Sequence, residues 1–226
     1  MAVKNQDQTT TEPQVVNRTQ DFWTRNSRTI LIAAGAVILL AAAYFGYKYL
    51  IKEPNEKKAA ESIFKAEEYF RMDSLQRALN GDGINPGFLK IIDKYGGTDA
   101  GNLARFYAGA SYIRLGDNAN AVKHLKEFET DSKQIQARAY KLLGDAYADQ
   151  NKTSDALSAY KKAARHFDDD DNNASEYLFM AAYYASRVAK NREEAIELFK
   201  ELKKNYSRTQ RGFEADKYLA ELGVYN

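Results

Sequence analysis

The chain contains no cysteine. That removes thiol nucleophiles, cysteine-based zinc sites and disulfides together, yet leaves the compartment open, because a core of this size stands without bridges in an oxidising space too. Proline is almost as scarce, at 3 in 226 residues, and collagen-like, disulfide-stapled and wholly disordered classes fall away. Charge of one sign is missing as well. Thirty-three Lys and Arg against 31 Asp and Glu leave a net +2, without the basic field that draws proteins onto nucleic acid. Histidine occurs only as His124 and His166, and neither has the i, i+4 partner of a helical zinc site. With 44% apolar and 28% charged residues, what remains is an ordinary folded composition.

What the chain does have is one long apolar run. Ile30 to Tyr47 reads ILIAAGAVILLAAAYFGY, uncharged throughout, and as a helix spans about 27 Å, close to the hydrocarbon thickness of a bilayer. Trp23 on one side and Tyr44, Tyr47 and Tyr49 on the other suit the two interfaces, while Lys48 snorkels. A cleaved signal peptide fits poorly. The run is longer than a usual apolar signal core, a polar leader of 29 residues precedes it, and Lys48 and Lys52 stand where a small-residue cleavage site belongs. A retained transmembrane anchor over residues 30–51 is expected, preceded by a disordered tail over 1–29, whose few apolar side chains cannot offset the entropy of ordering. Lys and Arg are similarly frequent on both sides, so the charge rule sets no orientation.

Beyond Lys52 the spacing predicts an all-α domain, with apolar residues three and four apart in stretches rich in Ala, Leu, Lys, Glu and Tyr. The stretch Gly109 to Asp117 returns at Gly144 to Lys152, an offset of 35, and Tyr112, Ala121 and Leu125 return as Tyr147, Ala156 and Tyr160. Small Gly109 and Gly144 let paired helices approach. The offset and the set Tyr140, Leu143, Gly144, Tyr147, Ala156, Tyr160 and Ala163 match tetratricopeptide repeats, an α-solenoid of helix pairs. Repeats are expected near 102–136, 137–171 and 175–208, the last with about two extra residues in the turn near Lys190, and a capping helix over 209–222. Upstream, Glu56 to Leu79 reads as two helices with Ile63, Phe64, Tyr69 and Phe70 inward. The loop Asn80 to Gly87 then breaks the repeat, and its Gly-Asp-Gly lacks both the Gly-Lys-Ser/Thr of a phosphate loop and the spaced carboxylates of a calcium loop.

The runs Ala78 to Gly83, Gly87 to Thr98 and Asn102 to Gly109 resemble hallmark stretches of a bacterial family of small, single-anchor tetratricopeptide repeat proteins of the cell envelope, in the version found in Bacteroidetes. In layout the chain is also similar to YfgM-type ancillary subunits of the Sec translocon. The resemblance implies a single-pass inner-membrane protein with its repeats in the periplasm, serving as a scaffold or chaperone-like adaptor in protein translocation. The alternative is a structural assembly subunit of another envelope complex, in cell division or outer-membrane biogenesis.

No constellation of nucleophile, base and orienting group emerges, so no enzyme, cofactor, metal or small-molecule substrate is expected. The acidic run Asp168 to Asp171 lacks the Gly and terminal Glu of a calcium loop and reads as a linker with a helix N-cap. What remains is protein binding, in a groove lined by the first helix of each repeat. That groove takes Leu103, Phe106, Ile113 and Arg114 from the first repeat and Arg138, Lys141 and Asp145 from the second. The Lys and Asn with which chaperone-tail receptors of this repeat class grip a peptide carboxylate are replaced by Phe106 and Ala110, so that clamp is absent.

Overall fold

The computed structural model describes residues 12–167 and 170–225, and the chain falls into two compact units, Met1–Pro54 and Asn55–Asn226. In the first, α1 (Glu12–Tyr47) carries the apolar run, and Leu31, Val37, Ile38, Leu39 and Leu40 on it are each more than half exposed. A helix that is apolar all round with nothing covering it is the inverse of a soluble core helix. It is long and apolar enough to cross a membrane. Residues 1–11 of the expected tail lie outside the described residues, whereas 12–29 are helical. Once the apolar segment is helical, each further residue is added without a new nucleus, and Pro13 sits in the first turn, where a missing N–H costs nothing.

A π-helical turn, Lys48–Lys52, follows, in which Glu53 N–H reaches back to the Lys48 carbonyl. Pro54 explains it: with no N–H and a ring that crowds the carbonyl four residues earlier, it breaks the regular ladder, and the wider turn absorbs the break.

The second unit is all helix among its described residues, apart from an isolated bridge between Gly81 and Pro86. Its helices are α2 (Glu53–Arg71), α3 (Leu75–Asn80), α4 (Phe88–Tyr95), α5 (Asp99–Arg114), α6 (Asn118–Lys126), α7 (Lys133–Asp149), α8 (Thr153–Ala164), α9 (Asp171–Arg187), α10 (Arg192–Asn205) and α11 (Gln210–Glu221). Consecutive elements pack on one another from α3 onward in a solenoid-like array. α5–α6, α7–α8 and α9–α10 are three successive helix pairs.

A fourth pair precedes them. Ala66 and Ala78 stand twelve positions apart, like Gly109 and Ala121 or Gly144 and Ala156, and both alanines are fully buried. The turn after α2 also has the form of the later ones. In Met72-Asp73-Ser74, Leu115-Gly116-Asp117 and Gln150-Asn151-Lys152 the middle residue is left-handed, and the third donates its N–H to a tyrosine carbonyl, Tyr69, Tyr112 and Tyr147 respectively. The second helix of this pair is split into α3 and α4 by the loop 81–87. Asp82 organises that loop, its carboxylate accepting the N–H groups of Ile84 and Asn85 and the Tyr69 hydroxyl. The loop therefore interrupts a repeat without ending the array. On α2, Ile63 is buried with Ala59 and Ala66 against Ala100, Ala104 and Ala108 of α5, while Phe64, expected inward, is exposed.

Two links share one chemistry. Thr98 and Thr209 each cap the following helix by accepting an N–H, from Gly101 and Gly212, and each hydroxyl donates back to a tyrosine carbonyl, Tyr95 or Tyr206. A Cβ on either glycine would come within 1.9 Å of that carbonyl, so the turn admits no side chain there. α11 therefore starts as α5 does and closes the array as a first-type helix, burying Ala215 and Leu219 and turning Asp216, Lys217 and Glu221 outward.

Within α7–α8 the helices meet at Gly144, where an added Cβ would lie 2.4 Å from the Tyr160 ring. That ring is held by Tyr184, edge-on at 5.1 Å, and by its hydroxyl on Asp145 at 3.0 Å. Alanine gains about 1 kcal/mol in helix propensity over glycine, but overpacking a fixed neighbour costs about 1–3 kcal/mol. Gly144→Ala is therefore expected to lower stability by about 1 kcal/mol net, or about 2–4 °C in Tm, followed by circular dichroism on the detergent-solubilised chain. An unchanged or raised Tm would show that the two helices are not held apart at this distance.

A candidate partner-binding groove

The first helices α7, α9 and α11 present a groove of about 550 Å³ lined by Arg138, Lys141, Leu142, Glu176, Tyr177, Phe179, Met180, Tyr183 and Arg211. Helical period places these side chains. On α7, Ala137, Ala139, Leu143 and Gly144 are buried, which turns Arg138, Lys141 and Leu142 outward; on α9, Leu178, Ala181 and Ala182 are buried, which turns Glu176, Phe179, Met180 and Tyr183 to the same side.

Aromatic rings form the floor and one wall. Phe179 meets Tyr218 edge-on at 5.0 Å, lies 6.0 Å from Tyr183, and carries the Arg211 guanidinium 4.2 Å above its centroid. Arg211 is also held by Glu176 at 3.0 Å and Glu214 at 2.8 Å. Lys141 pairs with Asp145 at 2.6 Å, and the other Asp145 oxygen accepts the Tyr160 hydroxyl. Burial and the neighbouring carboxylate push the Tyr160 phenol far above its ordinary value, so it remains a donor. Burial also raises Tyr177, against the opposing pull of Arg138 and Lys141.

Of the seven residues expected in the groove, the structure brings Arg138 and Lys141 together there, with Asp145 tied to Lys141. The others are elsewhere. Phe106 is a correction: at 7% exposure it packs with Leu125, Phe128, Ala139 and Leu143 inside the core, because α6 and α7 close over that side of α5. Ile113 is half-buried on the same cluster. Arg114 is exposed, pairs with Asp73 and covers the Phe70 ring in a cleft at the α2–α3 turn. Leu103 lies in a separate cleft with Asp99, Asn102, Phe128 and Ile135.

The sequence reading missed the α9 contribution of Phe179, Met180 and Tyr183. Its signal was present in the turn length: four residues separate α9 from α10 and three separate α7 from α8. One extra residue, not two, fixes the register that puts Glu176, Phe179 and Met180 at the places of Arg138, Lys141 and Leu142.

A model of the tetratricopeptide repeat-like domain matches residues 20–139, more than half of the chain. The chain belongs to the tetratricopeptide repeat-like family. A second model, the tetratricopeptide repeat itself, matches residues 176–209, which take in most of α9, all of α10 and the link to α11. Comparison with curated proteins and with solved structures gives no match. Tetratricopeptide domains serve as protein-interaction scaffolds, and protein binding is accordingly the role the family assigns to this array.

Neither histidine lies in the groove. Among the described residues no three His, Asp or Glu side chains are grouped so as to hold a metal ion. Asp168 and Asp169 lie outside the described residues, while Asp170 caps α9 by accepting the Asn173 N–H at 3.0 Å. His166 meets Tyr140 edge-on. His124, at the end of α6, is 7% exposed and stacked flat on Tyr112 at 5.6 Å, and its Nδ1 has no partner. Burial, helped by the Lys123 charge, holds its pKa below the ordinary 6.5. The folded chain therefore resists protonation that the unfolded chain accepts, so stability is complete above pH 6.5 and falls as pH drops below it. Urea unfolding midpoints are expected to decline between pH 7.5 and 5 in the wild-type chain, and to decline less in His124→Phe. Equal decline in both would remove His124 as the cause.

Proposed function

We propose that this chain is a single-pass scaffold of the bacterial inner membrane whose repeats face the periplasm and hold a protein partner in the first-helix groove, acting as an adaptor beside the Sec translocon and its periplasmic chaperones. The observation that carries the reading is the apolar shelf of half-buried Leu142, Phe179 and Met180 with Tyr183, 43% exposed, inside a rim of Arg138, Lys141, Glu176 and Arg211. Apolar surface of this kind gains free energy when a partner covers it, and the charged rim sets orientation. The apolar helix α1 supports the membrane location, and the envelope setting rests on the resemblance of the hallmark stretches.

Two measurements test the parts separately. Protease added to spheroplasts is expected to digest the repeat domain, and protection would place the repeats on the cytoplasmic side. In vivo photo-crosslinking from Lys141, in the groove, is expected to capture translocon subunits or exported chains, while the same probe at Lys162 on the second helix α8 is not. One dominant envelope protein outside the translocon would make the chain an assembly subunit. Capture from Lys162 alone would move the interface to the second-helix face.

A further inference from the structure

Arg138 stands apart from the other cations of the first-helix face. Arg71 lies 3.7 Å from Glu67, Arg114 is paired with Asp73, Lys141 with Asp145, and Arg211 with both Glu176 and Glu214. Arg138 is exposed and has no ion-pair partner among the described residues. It lines the groove together with Tyr177 of α9, a half-buried phenol that burial raises and the Arg138 charge pulls the other way. The Tyr177 hydroxyl has no hydrogen-bond partner among the described residues, unlike those of Tyr69 and Tyr160, which donate to Asp82 and Asp145. Five guanidinium donors and one phenolic donor therefore stand unused in the lining of the groove, beside the apolar shelf.

That arrangement states two requirements for one ligand. A carboxylate accepts from a guanidinium fork and from phenols in charge-assisted bonds, and the shelf is filled by a large apolar side chain. We propose that the groove recognises a protein segment carrying an Asp or Glu close in sequence to a large apolar residue, with the carboxylate on Arg138 beside Tyr177 and the apolar side chain on Leu142, Met180 and Tyr183. The assignment rests on the first-helix groove being the partner site. Its source of charge is a side chain, because the residues that would clamp a terminal carboxylate are Phe106 and Ala110 here.

The test pans random dodecapeptides, fused to phage through their C-termini so that no terminal carboxylate is displayed, against the full chain in detergent, and measures the selected peptides by fluorescence anisotropy. Selected peptides are expected to pair Asp or Glu with Leu, Ile, Met, Phe or Trp. Arg138→Glu weakens them by about tenfold or more, Arg138→Gln by less, and repanning on Arg138→Glu returns Lys or Arg in place of the acid. Arg138 is exposed, so both variants keep the wild-type Tm. Peptides that lose affinity in Tyr183→Ala yet ignore Arg138→Glu would overturn the acidic anchor and leave the groove reading standing. Binding only of peptides with a free C-terminus would overturn it in favour of terminal recognition. Peptides indifferent to both Tyr183→Ala and Arg138→Glu would remove the groove reading itself.

Discussion

The closeness of the two helices in each pair is the constraint on which the rest of the second unit depends. In α5–α6 and α7–α8 it is set by a glycine on the first helix, Gly109 or Gly144, facing a larger residue on the second helix, Leu125 or Tyr160. At Gly109 and Gly144 an added Cβ would stand 2.5 Å from Leu125 and 2.4 Å from Tyr160. Because the first helix can sink this far against its partner, its opposite side is left uncovered, and the uncovered sides of α7, α9 and α11 together make the groove. The groove is thus a by-product of packing, produced by residues that do not line it.

One residue carries the packing directly into the electrostatics of the groove. Tyr160 fills the space that Gly144 leaves, and its hydroxyl finds a partner in Asp145, as a phenol buried this deeply requires. Asp145 is thereby fixed in place, and it holds Lys141 at 2.6 Å. Glu176 of α9 and Glu214 of α11 hold Arg211 over Phe179. Lys141 and Arg211 are thus paired, and Arg138 is the cation of the groove lining that has no ion pair among the described residues. The pattern follows from where carboxylates were needed for packing and for capping the charges of the rim.

How much of this could be read from the sequence depends on whether copies keep the same length. The offset of 35 between Gly109 and Gly144 was visible because α5–α6 and α7–α8 have turns and links of equal length. The copy built on Ala66 and Ala78 was hidden, since the loop 81–87 stretches its offset to the next copy and Asp73 rather than Gly takes the left-handed turn position. One residue more in the α9–α10 turn was enough to blur the register that would have named Phe179, Met180 and Tyr183. Phe106 failed for a different reason: it holds the same helical position as Lys141, but the closure of α6 and α7 over α5 is a tertiary fact that no local pattern carries. Helicity before Ile30 was equally invisible in composition, because polar residues continue a helix already started more easily than they begin one.

The division of labour along α7 and α9 explains how such a surface can change partner without losing the fold. Gln136, Ala137, Ala139, Leu143, Gly144 and Ala146 point into the array, and Arg138, Lys141 and Leu142, interleaved with them at helical period, point out of it. A replacement at exposed Arg138 removes little buried area, so its effect on stability stays within about 0.5 kcal/mol, while the chemistry it offers a ligand changes completely. Asp145 breaks this separation. It lies at the groove yet serves the buried hydroxyl of Tyr160, so its loss leaves a polar group unsatisfied inside the α7–α8 contact, at a cost of about 1–3 kcal/mol. Binding and stability are independent at Arg138 and coupled at Asp145, although the two residues are two turns apart on one helix.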